Sequence, residues 1–195
     1  MKLRKLPRSF YLRPTIIVAK DLLGKYLVRT LRGKRLIGRI VEVEAYLGEK
    51  DPASHAYRGK TKRNEVMFRE GGHLYVYFTY GMHFCANVVT EEEGKARAVL
   101  IRGIEPIEER ETMSKLRRRT VEGVNLTNGP AKLCEAFGIG RPENGINLLG
   151  NEIYIALKST QPPPKVVTST RIGIKNGAEK NWRFYIKENE FVSKR

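Results

Sequence analysis

The residues Val41-Glu42-Val43-Glu44-Ala45-Tyr46-Leu47 alternate, with Val41, Val43, Ala45 and Leu47 at one parity and Glu42, Glu44 and Tyr46 at the other. A period of two belongs to a β-strand, whose successive side chains point to opposite faces of a sheet; a helix would scatter the same pattern around its axis. The first set is a core face. The second either looks at water, which would leave two glutamates without further meaning, or faces a site that uses carboxylates. Upstream, Lys25–Leu31 carries another strand pattern and Arg32-Gly33-Lys34 a turn, so Lys25–Leu31 and Leu36–Leu47 are expected to pair as a hairpin.

Further strands are expected at His73–Thr79, Phe84–Thr90, Ala98–Ile104, Ile153–Leu157, Lys165–Ser169 and Arg183–Lys187. Helices are expected from Pro14-Thr15 to Leu23, with Thr15 as N-cap and Gly24 as the stop, from Pro106 to Arg119, and from Gly129 to Phe137, with Asn128 as N-cap and Gly138 as the stop. Strands and helices are grouped rather than alternating, which disfavours a doubly wound parallel sheet. The expected fold is α+β, a single compact domain over residues 1–195 built on a mainly antiparallel, curved β-sheet flanked by helices. A chain of 195 residues suits one domain with a substantial core, and Thr160-Gln161-Pro162-Pro163-Pro164 is too short to divide it.

Gly48–Gly59 is a long irregular stretch of polar, aromatic and basic residues, the kind of loop that lines active sites on rigid scaffolds. A carboxylate at a strand end beside it, Glu44, is a candidate general base. In the strand Leu74–Tyr80, Tyr75 and Tyr77 share a face that serves either as ordinary sheet packing or as a stacking surface for an unpaired base. The strand runs into Tyr80-Gly81-Met82-His83, where Gly81 can take positive φ and Tyr80 and Met82 project outward, as in proteins that drive an apolar wedge between DNA bases.

Charge narrows the partners. There are 37 Lys and Arg against 21 Asp and Glu, a net +16, which points to a polyanion: nucleic acid first, an anionic membrane surface second. Arg58, Lys60, Lys62 and Arg63 flank the proposed site and suit phosphate contacts, while Lys115-Leu116-Arg117-Arg118-Arg119 reads as a solvated helix end that can also touch phosphates. No run of about 18 apolar residues occurs, and Met1–Lys5 leads into Leu6-Pro7-Arg8 rather than an apolar segment, so neither a membrane span nor a secretory signal is expected. The expected compartment is the cytoplasm, in association with the nucleoid, for a prokaryotic source and the nucleus for a eukaryotic one. Cys85 and Cys134 cannot form a disulfide framework and are expected as small core residues. His55, His73 and His83 show no metal-ligand spacing with each other or with the cysteines, and neither a phosphate loop nor GxGxxG is present, so no metal and no cofactor are expected.

Taken in order, Arg39–Gly48, His55, Met67-Phe68, Leu74–Asn87, Val99–Pro106, Asn128–Cys134, Thr170–Ile174 and Arg183–Ile186 resemble the alkyladenine (3-methyladenine) DNA glycosylase family across nearly the whole chain. The resemblance implies a monofunctional DNA glycosylase of base excision repair, acting as a monomer on double-stranded DNA that contains damaged purines. It implies that Glu44 deprotonates the attacking water, which Arg102 and the backbone carbonyl of Ile172 help to hold. It implies further that Tyr46 and Tyr77 sandwich the extruded base, that the His55 backbone N–H donates to it, and that Asn87 crowds the exocyclic amino group of guanine. Tyr80 would fill the gap in the duplex, with Met82 beside it. The tip departs from the family's mammalian members, which carry tyrosine where this chain has His83.

Two other classes compete. A non-catalytic RNA- or ribosome-binding module would also use the charge and the tyrosine strand, but a carboxylate in its groove would repel phosphate. A lyase working through a lysine Schiff base is the third, and no lysine stands out by context.

Overall fold

A computed structural model of the protein describes residues 1–117, 121–159 and 162–193. Along the chain run β1 (Arg4–Lys5), α1 (Arg8–Tyr11), α2 (Thr15–Leu22), β2 (Tyr26–Leu31), β3 (Lys34–Tyr46), β4 (Leu74–Thr79), β5 (His83–Thr90), β6 (Arg97–Glu108), α3 (Arg110–Leu116), α4 (Pro130–Ala136), β7 (Ile153–Leu157), β8 (Val166–Ser169) and β9 (Arg183–Ile186). The strands form one open sheet in the order β1-β7-β2-β3-β6-β5-β4, with β9 paired to β3 and β8 to β9, and every pairing is antiparallel. The α+β class and the antiparallel sheet are as expected from the sequence.

Strand β3 organises the sheet. Its first half pairs with β2 from Tyr26↔Arg39 to Leu31↔Lys34, while Glu42–Glu44 pairs with Tyr185–Arg183 of β9. Along its other edge it runs against β6, with two register irregularities on either side of Glu42 that cancel, so that Glu44 faces Leu100 and Tyr46 faces Ala98. Val41, Val43 and Ala45 are fully buried with Leu22, Leu27, Ile104 and Phe137 in the main core cluster. The opposite face is not turned to water either: Glu42 and Glu44 have no exposed surface. The solvated reading of that face is therefore excluded.

Several boundaries move, each for a local reason. Strand β6 continues through Pro106, which pairs with Gly38, so the helix expected from Pro106 begins only at Arg110. A fixed φ near −65° is compatible with extended backbone at a point where no ladder donor is needed. The expected helix end at Arg118 and Arg119, like Thr160-Gln161 of the proline stretch, lies outside the described residues. Thr15 is not the cap of α2. Pro14 holds that position, and the Thr15 hydroxyl instead meets Glu91 Oε1 at 2.5 Å and Thr90 Oγ1 at 3.0 Å. At α4 the cap is Gly129 rather than Asn128, whose Oδ1 accepts from Lys132 Nζ at 2.7 Å. Gly24 and Gly138 end their helices with φ of +81° and +60°, as the stop signals predict.

Candidate active site

The polar face of β3 continues across the sheet. Residues opposite one another in register share a face, so Glu44, Leu100, Asn87 and Tyr75 form one row through β3, β6, β5 and β4, flanked by Arg102, Cys85 and Tyr77. Over this row lies a cavity of about 360 Å³, lined by Tyr46, His55, Tyr75, Tyr77, Cys85, Asn87, Leu100, Arg102, Ile172 and, at its rim, Tyr80. That volume lies at the small end of ligand sites, with room for a single heterocyclic base. Cys85 is thus a cavity wall whose thiol bonds with Tyr77, not merely core filler.

Glu44 sits at the floor, just behind the lining residues. Its Oε2 accepts from the Tyr46 hydroxyl at 2.8 Å and its Oε1 from the Ile172 backbone N–H at 2.7 Å, and Arg102 Nη1 stands 3.4 Å from Oε1. At Ile172, then, the group in direct contact with the carboxylate is the amide N–H. Burial disfavours the charge on Arg102, but Glu44 and Glu42 more than offset it, so this guanidinium holds its proton more firmly than an ordinary arginine. Burial, reinforced by Glu44, also pushes the Tyr46 phenol far above its usual range, so it stays a donor.

The aromatic walls are braced from outside the sheet. The His55 ring meets Tyr77 edge-on with centroids 4.4 Å apart, and His55 Nδ1 lies 3.0 Å from the Tyr75 hydroxyl. Burial, then the charge of Arg63, lowers the His55 pKa to about 4, although the residue keeps exposed surface. Burial raises Tyr75 to about 12. The Asn87 amide donates to the Tyr75 carbonyl at 3.0 Å, which fixes its orientation. Beneath Tyr46 lies Arg171, its guanidinium carbon 4.7 Å from the ring centroid and its fork bonded to both oxygens of buried Asp51 at 2.6 and 2.8 Å. This pair ties the loop after β3 to the segment carrying Ile172.

The hairpin between β4 and β5 carries the tip. Tyr80 and Gly81 both take left-handed φ, 51° and 67°, and the Met82 N–H closes the turn onto the Thr79 carbonyl at 3.2 Å. Tyr80 is 83% exposed and Met82 68%. His83 turns from the cavity toward α4, with Nδ1 3.6 Å from Glu135 Oε1. Of the residues singled out in the sequence, Arg102, Ile172, Tyr46, His55, Tyr77, Asn87 and Tyr80 line one cavity, Glu44 lies behind its wall in contact with Tyr46 and Ile172, and Met82 lines a separate groove. Glu42, Arg183, Asp51 and Arg171 went unassigned; their partners are distant in the chain. Arg58, Lys60, Lys62 and Arg63 lie exposed on the loop next to the mouth. Among the described residues no cluster of His, Cys, Asp and Glu could hold a metal ion, and no helix is long and apolar enough to cross a membrane.

Comparison with known proteins gives a concordant result. The model of the methylpurine-DNA glycosylase family matches residues 9–190. A protein of Carboxydothermus hydrogenoformans named "Putative 3-methyladenine DNA glycosylase" is 53% identical over 191 residues, 97% of this chain and 99% of its own length. Proteins of the same name from Methanocella arvoryzae and Chlorobium luteolum are 49% and 48% identical over 97% of this chain and 96% and 97% of theirs. With an aromatic cavity beside a buried carboxylate and a match along nearly its whole length, this chain belongs to the methylpurine-DNA glycosylase family and is a DNA glycosylase.

Proposed function

We propose that the protein excises alkylated purines, and deaminated ones more slowly, by turning the damaged nucleotide out of duplex DNA into the aromatic cavity and hydrolysing its N-glycosidic bond. The observation that carries this reading is the placement of Glu44: a carboxylate without exposed surface, at the floor of a cavity walled by tyrosines, in a protein of net charge +16. Extruding a base costs a few kcal/mol, less when it is poorly paired. Tyr80 fills the vacated space, and Tyr46 and Tyr77 receive the base, with a cationic ring gaining about 0.5–2 kcal/mol over their faces. The His55 N–H donates to the base edge, and Asn87 obstructs the amino group of an intact guanine.

Glu44 then takes a proton from a water held with Arg102 and the Ile172 carbonyl. The water oxygen bonds to C1′ as the bond from C1′ to the base nitrogen breaks, and the electron pair leaves with the base. A base alkylated at a ring nitrogen leaves as a neutral molecule. A neutral base such as hypoxanthine needs a proton, and the groups nearest it are poor acids: His55 is unprotonated down to about pH 4, and the tyrosines hold their protons. No lysine lines the cavity among the described residues, which favours hydrolysis over a Schiff-base lyase. The chain supplies every group named, so a monomer suffices. The test is incubation with duplexes carrying 7-methylguanine, hypoxanthine or an abasic site, without metal or nucleotide. Free methylated base should appear first, hypoxanthine more slowly, and borohydride should trap no covalent complex on the abasic duplex. Trapping, or no base release from any duplex, would contradict the reading.

A further inference from the structure

Two carboxylates, Glu42 and Glu44, stand on one face of β3 without exposed surface, and Arg102 lies between them. Arg102 Nε donates to Glu42 Oε1 at 3.2 Å and its Nη2 to Ser193 Oγ at 3.4 Å, which leaves only Nη1 toward Glu44. Glu42 is itself fixed from two further sides. Arg183 Nε, from β9, donates to its Oε1 at 2.7 Å, and the Ser193 backbone N–H to its Oε2 at 2.6 Å. The segment carrying Ser193 packs so closely over β6 that a Cβ at Gly103 would lie 2.6 Å from the Phe191 carbonyl oxygen.

A guanidinium beside a carboxylate prefers the bidentate fork, in which both oxygens are occupied. Formed on Glu44, that fork would take the lone pairs that a water needs and weaken the carboxylate as a proton acceptor. We propose that Glu42, held by Arg183 and Ser193, is a positioning residue that turns the Nε–Nη2 edge of Arg102 away from Glu44 and so preserves Glu44 as the base. The inference rests on Glu44 deprotonating water. The charged and titratable groups around the pair are Arg102 from β6, Arg183 from β9, the Tyr46 phenol and the Cys85 thiol across the cavity, with Arg171 behind Tyr46.

The variant Glu42→Gln keeps the shape but removes the negative charge that Arg102 and Arg183 share at Oε1, and with it most of the hold on Arg102. Single-turnover release of 7-methylguanine, with enzyme in excess, should slow by roughly tenfold or more, a fraction of what a general base supplies. The acid limb of its pH profile should move to lower pH, because the full charge of Arg102 now falls on Glu44. Affinity for the lesion duplex should hold, and in an Arg102→Met background the same substitution should lose most of its effect. A slower rate with the limb unmoved, a limb moved upward, or wild-type behaviour would overturn the proposal. If Glu42→Gln does not fold, Glu42→Asp decides, since it keeps the charge but draws the acceptor one methylene away from Arg102: a smaller downward shift of the limb supports the proposal and none overturns it. Glu44→Gln separates the two levels. Full activity there defeats the reading of Glu44 itself, whereas its inactivity beside an unaltered Glu42→Gln defeats the positioning role alone.

Discussion

Moving a carboxylate out of water costs several kcal/mol unless donors replace the lost hydration. At Glu44, Glu42 and Asp51 every oxygen has such a donor, from Tyr46, Ile172, Arg102, Arg183, Ser193, Leu47, Ala53 or Arg171. Glu44 was legible because alternation set it on the polar parity of a strand running into an irregular loop. Its supports were not. Arg183 is 141 residues from Glu42 and Arg171 is 120 from Asp51, separations at which a single sequence shows no pattern. The histidine at the mouth gives a direct check at this scale. An NMR titration of His55 should show its imidazole accepting a proton near pH 4, and a midpoint near 6.5 would contradict the packing described. The sign of the linkage follows: the unfolded chain takes up this proton below about 6.5 and the folded protein resists it until about 4, so His55 removes stability as pH falls through that window and is silent above it.

Among the elements, those with a period of two were readable, and the hairpins β2–β3 and β4–β5 lie where the alternation predicts. What escaped was decided by neighbours rather than by the segment itself. Pro106 reads as a helix start in isolation but is carried into β6 by pairing with β3, and Thr15 was drawn from its cap by Glu91 and Thr90 across the fold. The β4–β5 tip is shaped mainly by its own residues. Its shape comes from left-handed backbone at Tyr80 and Gly81 and from Phe78 and Phe84, whose rings pack 5.0 Å apart on the outer side of the hairpin. Because Tyr80 is 83% exposed, Tyr80→Ser should leave the melting temperature unchanged. It should nevertheless weaken binding of a lesion duplex far more than Asn87→Ala does. Equal affinities of the two variants by titration would remove the wedge role.

Over the whole molecule, a net +16 draws the protein to DNA without regard to sequence, while Glu44 lies buried behind the wall of the aromatic cavity. Attraction and chemistry should therefore respond differently to salt. With about five phosphate contacts, affinity for duplex DNA should fall on the order of 10²–10³-fold between 50 and 200 mM salt. The release rate of bound enzyme should change little, and a rate that followed the affinity would place the electrostatics in the chemical step instead. Charge and composition made the attraction legible; the cavity was legible only in part, because its walls come from strands and loops spread from Tyr46 to Ile172. The most direct measurement compares wild type with Glu44→Gln on one 7-methylguanine duplex, recording affinity and single-turnover base release together. The expected result is unchanged or tighter binding with release slowed by at least about 10²-fold. Release at the wild-type rate by the Gln variant would contradict the assignment of Glu44 as the group that activates water.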